Sequence, residues 1–164
     1  MDKNIFKVKG TYVNGQWFNS KNTYEVFNPS DGEKLSDVPI SDKKELELAV
    51  ESAKKAQAIW SKTSLIERVK CLEELSKKIL ENEEEFALID SYDSGNALTG
   101  MRKDVKETVN NIRYFCGLVR EVKGETFSME KNHLNFTRYQ PYGVVLKINP
   151  FNHPFRFCVA VSYT

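Results

Sequence analysis

The sequence contains few of the residues that build metal centres and disulfide frameworks. It has two histidines and three cysteines among 164 residues. The cysteines, Cys71, Cys116 and Cys158, are far apart and odd in number, which argues against a disulfide framework and favours a reducing cytoplasm. Two histidines without a cysteine or carboxylate cluster leave no metal site to predict.

Long apolar runs and an excess of one charge are also missing. The longest wholly apolar run, residues 157–161, is far too short to span a bilayer, and the first nine residues lack the apolar core of a signal peptide. Twenty-four Lys and Arg against 23 Asp and Glu give a net charge of +1. We therefore expect neither a nucleic acid nor a membrane as a partner. A hydrophobic content of 40% is ordinary for about one globular domain.

Local patterns predict a mixed α/β chain that begins with a hairpin. Asn14-Gly15 lies between two short apolar segments and suits a type I′ turn, which needs two residues that tolerate positive φ. A strand is predicted at 24–27, before Asn28-Pro29 and a turn at Asp31-Gly32. Four helices follow. The first begins at Asp42 with a capping box to Glu45, and the second begins near Ser64. The third has Asn82 as its N-cap and ends at Gly95, and the fourth runs from near Gly100 to near Val122.

The segment from Pro141 to Pro154 (PYGVVLKINPFNHP) is the most informative part of the chain. Residues 142–148 are apolar apart from Lys147, a pattern typical of a strand covered on both faces in a parallel sheet. Pro150 and Pro154 then restrict the turn that carries Asn152. Ligands of open α/β sheets bind beyond the carboxyl ends of strands, so Asn152 is the candidate site residue. The alternative is a structural asparagine that bonds to its own turn.

This segment resembles the aldehyde dehydrogenase superfamily, whose members carry a Gly-Val-Val…Ile-x-Pro-Trp-Asn-x-Pro sequence. Upstream motifs resemble the family in its own order: Tyr12–Trp17 (YVNGQW), Phe27–Gly32 (FNPSDG), the helix positions Ala49, Ala53, Ala56 and Trp60, then Arg68, Asp93–Gly95 (DSG) and Tyr114–Gly117 (YFCG). Together they run from about Tyr12 to Ala160. The chain departs from the family at Asn96 and Ala97, which replace Lys and Pro, at Phe151, which replaces Trp, and at His153, which replaces Phe.

The resemblance implies the fold and the parent activity. It implies the N-terminal part of an α/β aldehyde dehydrogenase: residues 1–132 as the first portion of the cofactor domain, 133–141 as a strand of an oligomerisation sheet, and 142–164 as the start of the dinucleotide-binding core, truncated. The parent enzyme would oxidise an aldehyde with NAD or NADP as a homo-oligomer. Asn152 would be catalytic, and Ile148, Pro150, Phe151 and Asn152 would line the cofactor.

The same resemblance predicts that this chain alone is inactive. The family's nucleophilic cysteine and general-base glutamate follow the Asn-x-Pro segment, beyond the residues present here. Cys158 and His153 are five residues apart and form a weaker alternative thiol and base, because residues at that spacing share a helix face poorly. A second alternative is a free-standing, non-catalytic helical module that binds a partner.

Overall fold

A computed structural model describes residues 3–160, which form three antiparallel strand pairs and a bundle of helices. Strands β1 (Thr11–Val13) and β2 (Gln16–Phe18) pair through the Asn14-Gly15 turn, where φ is 51° and 78°. Strands β3 (Thr23–Phe27) and β4 (Lys34–Pro39) form the second pair. Strands β5 (Thr126–Ser128) and β6 (Leu134–Phe136) form the third. The predicted type I′ hairpin is confirmed, and the strand predicted at residues 24–27 is confirmed as β3.

Five α-helices lie between and after these hairpins. They are α1 (Lys43–Trp60), α2 (Leu65–Glu81), α3 (Glu83–Ser94), α4 (Leu98–Leu118) and α5 (Pro154–Ala160). Asp42 and Ser64 each form a full capping box, with Glu45 and Glu67 respectively. Gly95 ends α3 with φ at 75°, as predicted. Asn82 occupies the N-cap position of α3, as predicted, but its side chain forms no capping hydrogen bond there and donates instead to the Lys78 carbonyl at the end of α2.

The core lies where α2, α3, α4 and α5 meet. It contains Ile79 of α2, Ala87 of α3, four residues of α4 (Met101, Val105, Val109 and Ile112) and Val159 of α5. Cys116 packs against this cluster, whereas Cys71 is exposed. The apolar stripe of α1 includes no buried residue.

The predicted strand over residues 142–148 is wrong. This segment forms no strand, and Tyr142, Leu146 and Ile148 are 100%, 79% and 85% exposed. The reason is physical: a strand covered on both faces needs neighbouring strands, and within residues 3–160 every strand is paired in its own two-stranded hairpin. The strand predicted near residues 133–141 exists only as the short β6.

None of the helices in the described part of the chain is long and apolar enough to cross a membrane.

Candidate functional site

Asn152 lies in the turn between the extended segment 142–148 and α5. Its side chain is exposed, and within residues 3–160 its amide group forms no hydrogen bond. Lys147 donates to the carbonyl oxygens of Phe157 and Cys158, the latter at 2.9 Å, which ties the preceding segment to α5. The alternative of an asparagine bonded to its own turn is therefore not what this structure contains, because the amide points to no backbone partner.

The backbone of Asn152, unlike its side chain, is held from outside the turn. Asn96, in the loop between α3 and α4, donates from Nδ2 to the Asn152 carbonyl oxygen at 2.6 Å. Ser91 Oγ donates in turn to the Asn96 carbonyl at 2.7 Å. The peptide group that follows the candidate residue is thereby anchored to a loop 56 residues earlier in the chain.

Asp104 of α4 binds the two basic side chains that follow Asn152. Its Oδ2 lies 2.5 Å from His153 Nδ1, and its Oδ1 accepts from the Arg156 guanidinium at 3.3 Å. Arg156 also lies 3.3 Å from Glu107 Oε2. Asp104 is only 7% exposed, so its charge has little water around it and depends on these partners.

Asp90 of α3 is a second buried carboxylate beside the same turn. Its Oδ2 accepts the backbone N–H of Phe155 at 3.1 Å. Burial raises the pKa of Asp90 to about 6; the nearby charges of Asp93 and Asp104 add to that shift, while the Phe155 hydrogen bond and His153 oppose it. Stacking of Phe155 on Phe86, with ring centroids 4.5 Å apart, completes the contact between α5 and α3.

The other predicted site residues form one continuous exposed stretch with Asn152. Ile148 and Phe151 are 85% and 89% exposed, and Pro150 between them is exposed as well. Together these residues present an exposed aliphatic and aromatic surface beside the amide of Asn152.

The alternative pairing of Cys158 with His153 is not formed. The His153 ring is bonded to Asp104, and Cys158 lies exposed on α5. Within residues 3–160 no group of three or more His, Cys, Asp or Glu side chains is placed to hold a metal ion.

Sequence reasoning missed the residues that hold the turn, namely Asp90, Asn96, Asp104 and Arg156. Asp104 carried a detectable signal, because it occupies a position on the apolar stripe of α4, between Met101 and Thr108, where a solvated carboxylate is not expected. Asp90 shows the same signal three residues after the buried Ala87. The signal at Asn96 is of another kind, because this residue replaces the lysine of the family pattern.

Comparison with known proteins identifies what this arrangement is similar to. A sequence profile of the aldehyde dehydrogenase family matches residues 17–162. A hydroxyisobutyraldehyde dehydrogenase of Mycolicibacterium austroafricanum is 34% identical over 145 residues, which are 87% of this chain and 29% of that protein. Malonate-semialdehyde dehydrogenase 1 of Shouchella clausii is 35% identical over 153 residues, 92% of this chain and 31% of that protein.

A solved structure extends the similarity to three dimensions. A mutant betaine aldehyde dehydrogenase of Staphylococcus aureus, in complex with NAD+, is 28% identical and superimposes with a TM-score of 0.86 over 94% of this chain and 33% of that one. The predicted α/β fold and the predicted match to the N-terminal part of such proteins are confirmed. The chain spans only about 30% of the length of the curated relatives that it matches.

Proposed function

This chain belongs to the aldehyde dehydrogenase family, and we propose that it supplies the N-terminal part of an enzyme that oxidises an aldehyde to a carboxylic acid with NAD or NADP. The observation that carries the proposal is the exposed amide of Asn152, which forms no hydrogen bond within residues 3–160 and lies at the position where the family motif has its asparagine. The identity of the aldehyde is left open, because the relatives that match act on different ones by name.

The proposed role of Asn152 is to stabilise negative charge on the aldehyde oxygen. When a nucleophile attacks the carbonyl carbon, that oxygen becomes an oxyanion, and an amide N–H stabilises it more than it stabilises the neutral carbonyl. Loss of one such donor typically raises the barrier by about 3 to 4 kcal/mol. Asparagine suits the role because its amide donates without titrating.

The remaining residues of the stretch would hold the cofactor. Ile148, Pro150 and Phe151 offer exposed apolar and aromatic surface for the nicotinamide and its ribose. The bound dinucleotide would supply the oxidant, accepting hydride from the substrate carbon. Phe151 keeps an aromatic face but lacks the indole N–H of the family's usual Trp, so it would contact the cofactor without donating a hydrogen bond.

Self-association and a cytoplasmic location are part of the same proposal. Leu134 and Phe136 of β6 are each 67% exposed and Phe127 of β5 is 49% exposed, which supports a surface covered by another copy of the protein. The three free cysteines fit a reducing compartment.

A chimera tests the proposed role of Asn152. Residues 1–160 would replace the matching part of malonate-semialdehyde dehydrogenase 1 of Shouchella clausii, and reduction of NAD+ or NADP+ would be followed by absorbance. We expect Asn152→Ala to lower kcat by about 100-fold to 1,000-fold and to change the Kd for the dinucleotide less than about twofold.

Asn110→Ala, an exposed asparagine of α4, is the matched control and should leave kcat unchanged. A chimera that binds dinucleotide and turns over equally well with and without Asn152 would disprove the proposal. If the large graft does not fold, a graft of residues 142–160 alone gives the same comparison.

A further inference from the structure

Helix α4 and the loop before it bind the carbonyl group of Asn152 and the side chain of the residue that follows it. Asn96 Nδ2 donates to the Asn152 carbonyl oxygen at 2.6 Å, and Asp104 Oδ2 lies 2.5 Å from His153 Nδ1. We infer that Asn96 and Asp104 are positioning residues that fix the direction of the Asn152 amide, an inference that rests on the proposed function of Asn152.

The two prolines of the turn cannot fix Asn152 by themselves. Pro150 and Pro154 set φ only at their own positions and restrict the residues that precede them, Asn149 and His153. The φ and ψ angles of Asn152 are left free by both. The hydrogen bond from Asn96 to the Asn152 carbonyl orients the peptide plane between Asn152 and His153. The contact between Asp104 and the His153 ring then fixes the position of the next residue. Because the Asn152 side chain is exposed, the backbone sets the Cα–Cβ direction from which its amide projects, and the side-chain rotamers set the rest.

The anchors themselves are rigid. Asp104 is 7% exposed, lies next to the fully buried Val105, and uses its second oxygen to bind Arg156, so its carboxylate has one orientation. Asn96 follows Gly95, whose φ of 75° ends α3, and its carbonyl accepts from Ser91. Preorganised donors are effective because the surrounding structure has already been ordered before the reaction.

Both contacts use residues at which this chain departs from the family pattern read in its sequence. Asn96 replaces Lys and His153 replaces Phe. A Phe at position 153 could not bond to Asp104, so this carboxylate contact is available only because of the histidine.

Hydrogen exchange on the 164-residue chain tests the positioning contacts without any catalysis. The amide of Phe155 is the reporter, because it donates to Asp90 and to neither mutated residue. We expect Asn96→Asp and Asp104→Asn each to speed its exchange roughly tenfold, since a factor of ten corresponds to about 1.4 kcal/mol, which is within the range for the loss of one hydrogen bond. Asn110→Asp makes the same chemical change as Asn96→Asp at an exposed site of α4 and should leave the exchange rate unchanged.

The chimera then separates positioning from general stability. Asn96→Asp should lower kcat roughly tenfold with KM, dinucleotide Kd and melting temperature unchanged, and Asn96→Lys, which restores a donor, should recover most of the loss. Unchanged Phe155 exchange in both variants, or unchanged kcat in Asn96→Asp, would overturn the inference. If Asn152→Ala itself leaves kcat unchanged, the proposed function fails, and exchange at Phe155 still decides whether the contacts hold the turn. Should Asp104→Asn not fold, Asn96→Asp alone decides.

Discussion

At the scale of single residues, two buried carboxylates connect the helical core to the candidate site. Asp90 and Asp104 are 8% and 7% exposed, and each accepts hydrogen bonds from the first residues of α5 or the turn before it. Burial of a carboxylate is unfavourable unless it is paired. Asp104 has two basic partners, whereas Asp90 has a backbone N–H and two acidic neighbours.

Asp90 should make the chain less stable as the pH rises. Its pKa in the folded protein is about 6, against an ordinary value of 3.8, so the folded state binds the proton more tightly than the unfolded state does. The resulting stabilisation is complete below about pH 4 and is lost as the pH rises through about 6. With partial solvent screening we expect the free energy of unfolding to fall by roughly 1 to 2 kcal/mol over that window.

Asp90→Asn tests this assignment because asparagine keeps an oxygen for the Phe155 N–H but does not titrate. Urea unfolding between pH 4 and 7.5 should show a flatter pH dependence for the variant than for the unmodified chain. Asp42→Asn, which keeps an equally good helix cap, is the control for the same chemical change at an exposed position. Identical slopes for Asp90→Asn and the unmodified chain would assign the pH dependence to another group.

At the scale of secondary structure elements, the helix starts differ in how they are stabilised. Ser64 and Glu67 form a capping box at α2, while Asn82, between α2 and α3, bonds only to the carbonyl of Lys78. We expect Ser64→Ala to lower the free energy of unfolding by about 1 kcal/mol, because α2 contributes Ile79 to the core. Asn82→Ala should lower the free energy of unfolding by only a few tenths of the loss expected for Ser64→Ala. Chemical denaturation of the two variants side by side measures the difference. Equal losses would contradict the capping geometry.

Local elements could be predicted from sequence because their causes are local. The Asn14-Gly15 turn, the Asp42 cap and the Gly95 stop each depend on residues within one turn of one another. The conformation of residues 142–148 could not be predicted in this way. Their apolar pattern indicates side chains that are covered on both faces, but a strand also needs hydrogen-bonding partners for its backbone. The contacts of Asn96 and Asp104 with the turn span 56 and 49 residues, and such pairings are set by tertiary packing.

At the scale of the whole molecule, this chain by itself should not oxidise aldehydes. Catalysis of the kind that the family resemblance implies needs a thiolate nucleophile. The cysteine nearest to Asn152 in the sequence, Cys158, lies exposed on α5, and within residues 3–160 no base is paired to it. We expect the purified 164-residue chain to reduce no measurable NAD+ in the presence of an aldehyde. The result that would contradict this expectation is NAD+ reduction that Cys158→Ser abolishes, and it would restore the alternative of a Cys158 and His153 pair.

The purified chain should also self-associate, because much of its apolar surface has no cover within residues 3–160. Residues 142–148 leave their backbone groups without strand partners, and Leu146, Ile148 and Phe151 are 79%, 85% and 89% exposed. Unpaired extended backbone beside apolar side chains recruits other chains.

Light scattering during gel filtration measures the outcome, and the double variant Leu146→Lys, Ile148→Lys should shift the chain towards monomer. Ile59→Lys, at the end of α1, makes the same kind of change at a residue 74% exposed and should shift it less, because there the backbone is already bonded within a helix. A monodisperse monomer with a sharp cooperative melt would mean that these residues close their own core. That result would favour the rival view of a self-contained, non-catalytic module.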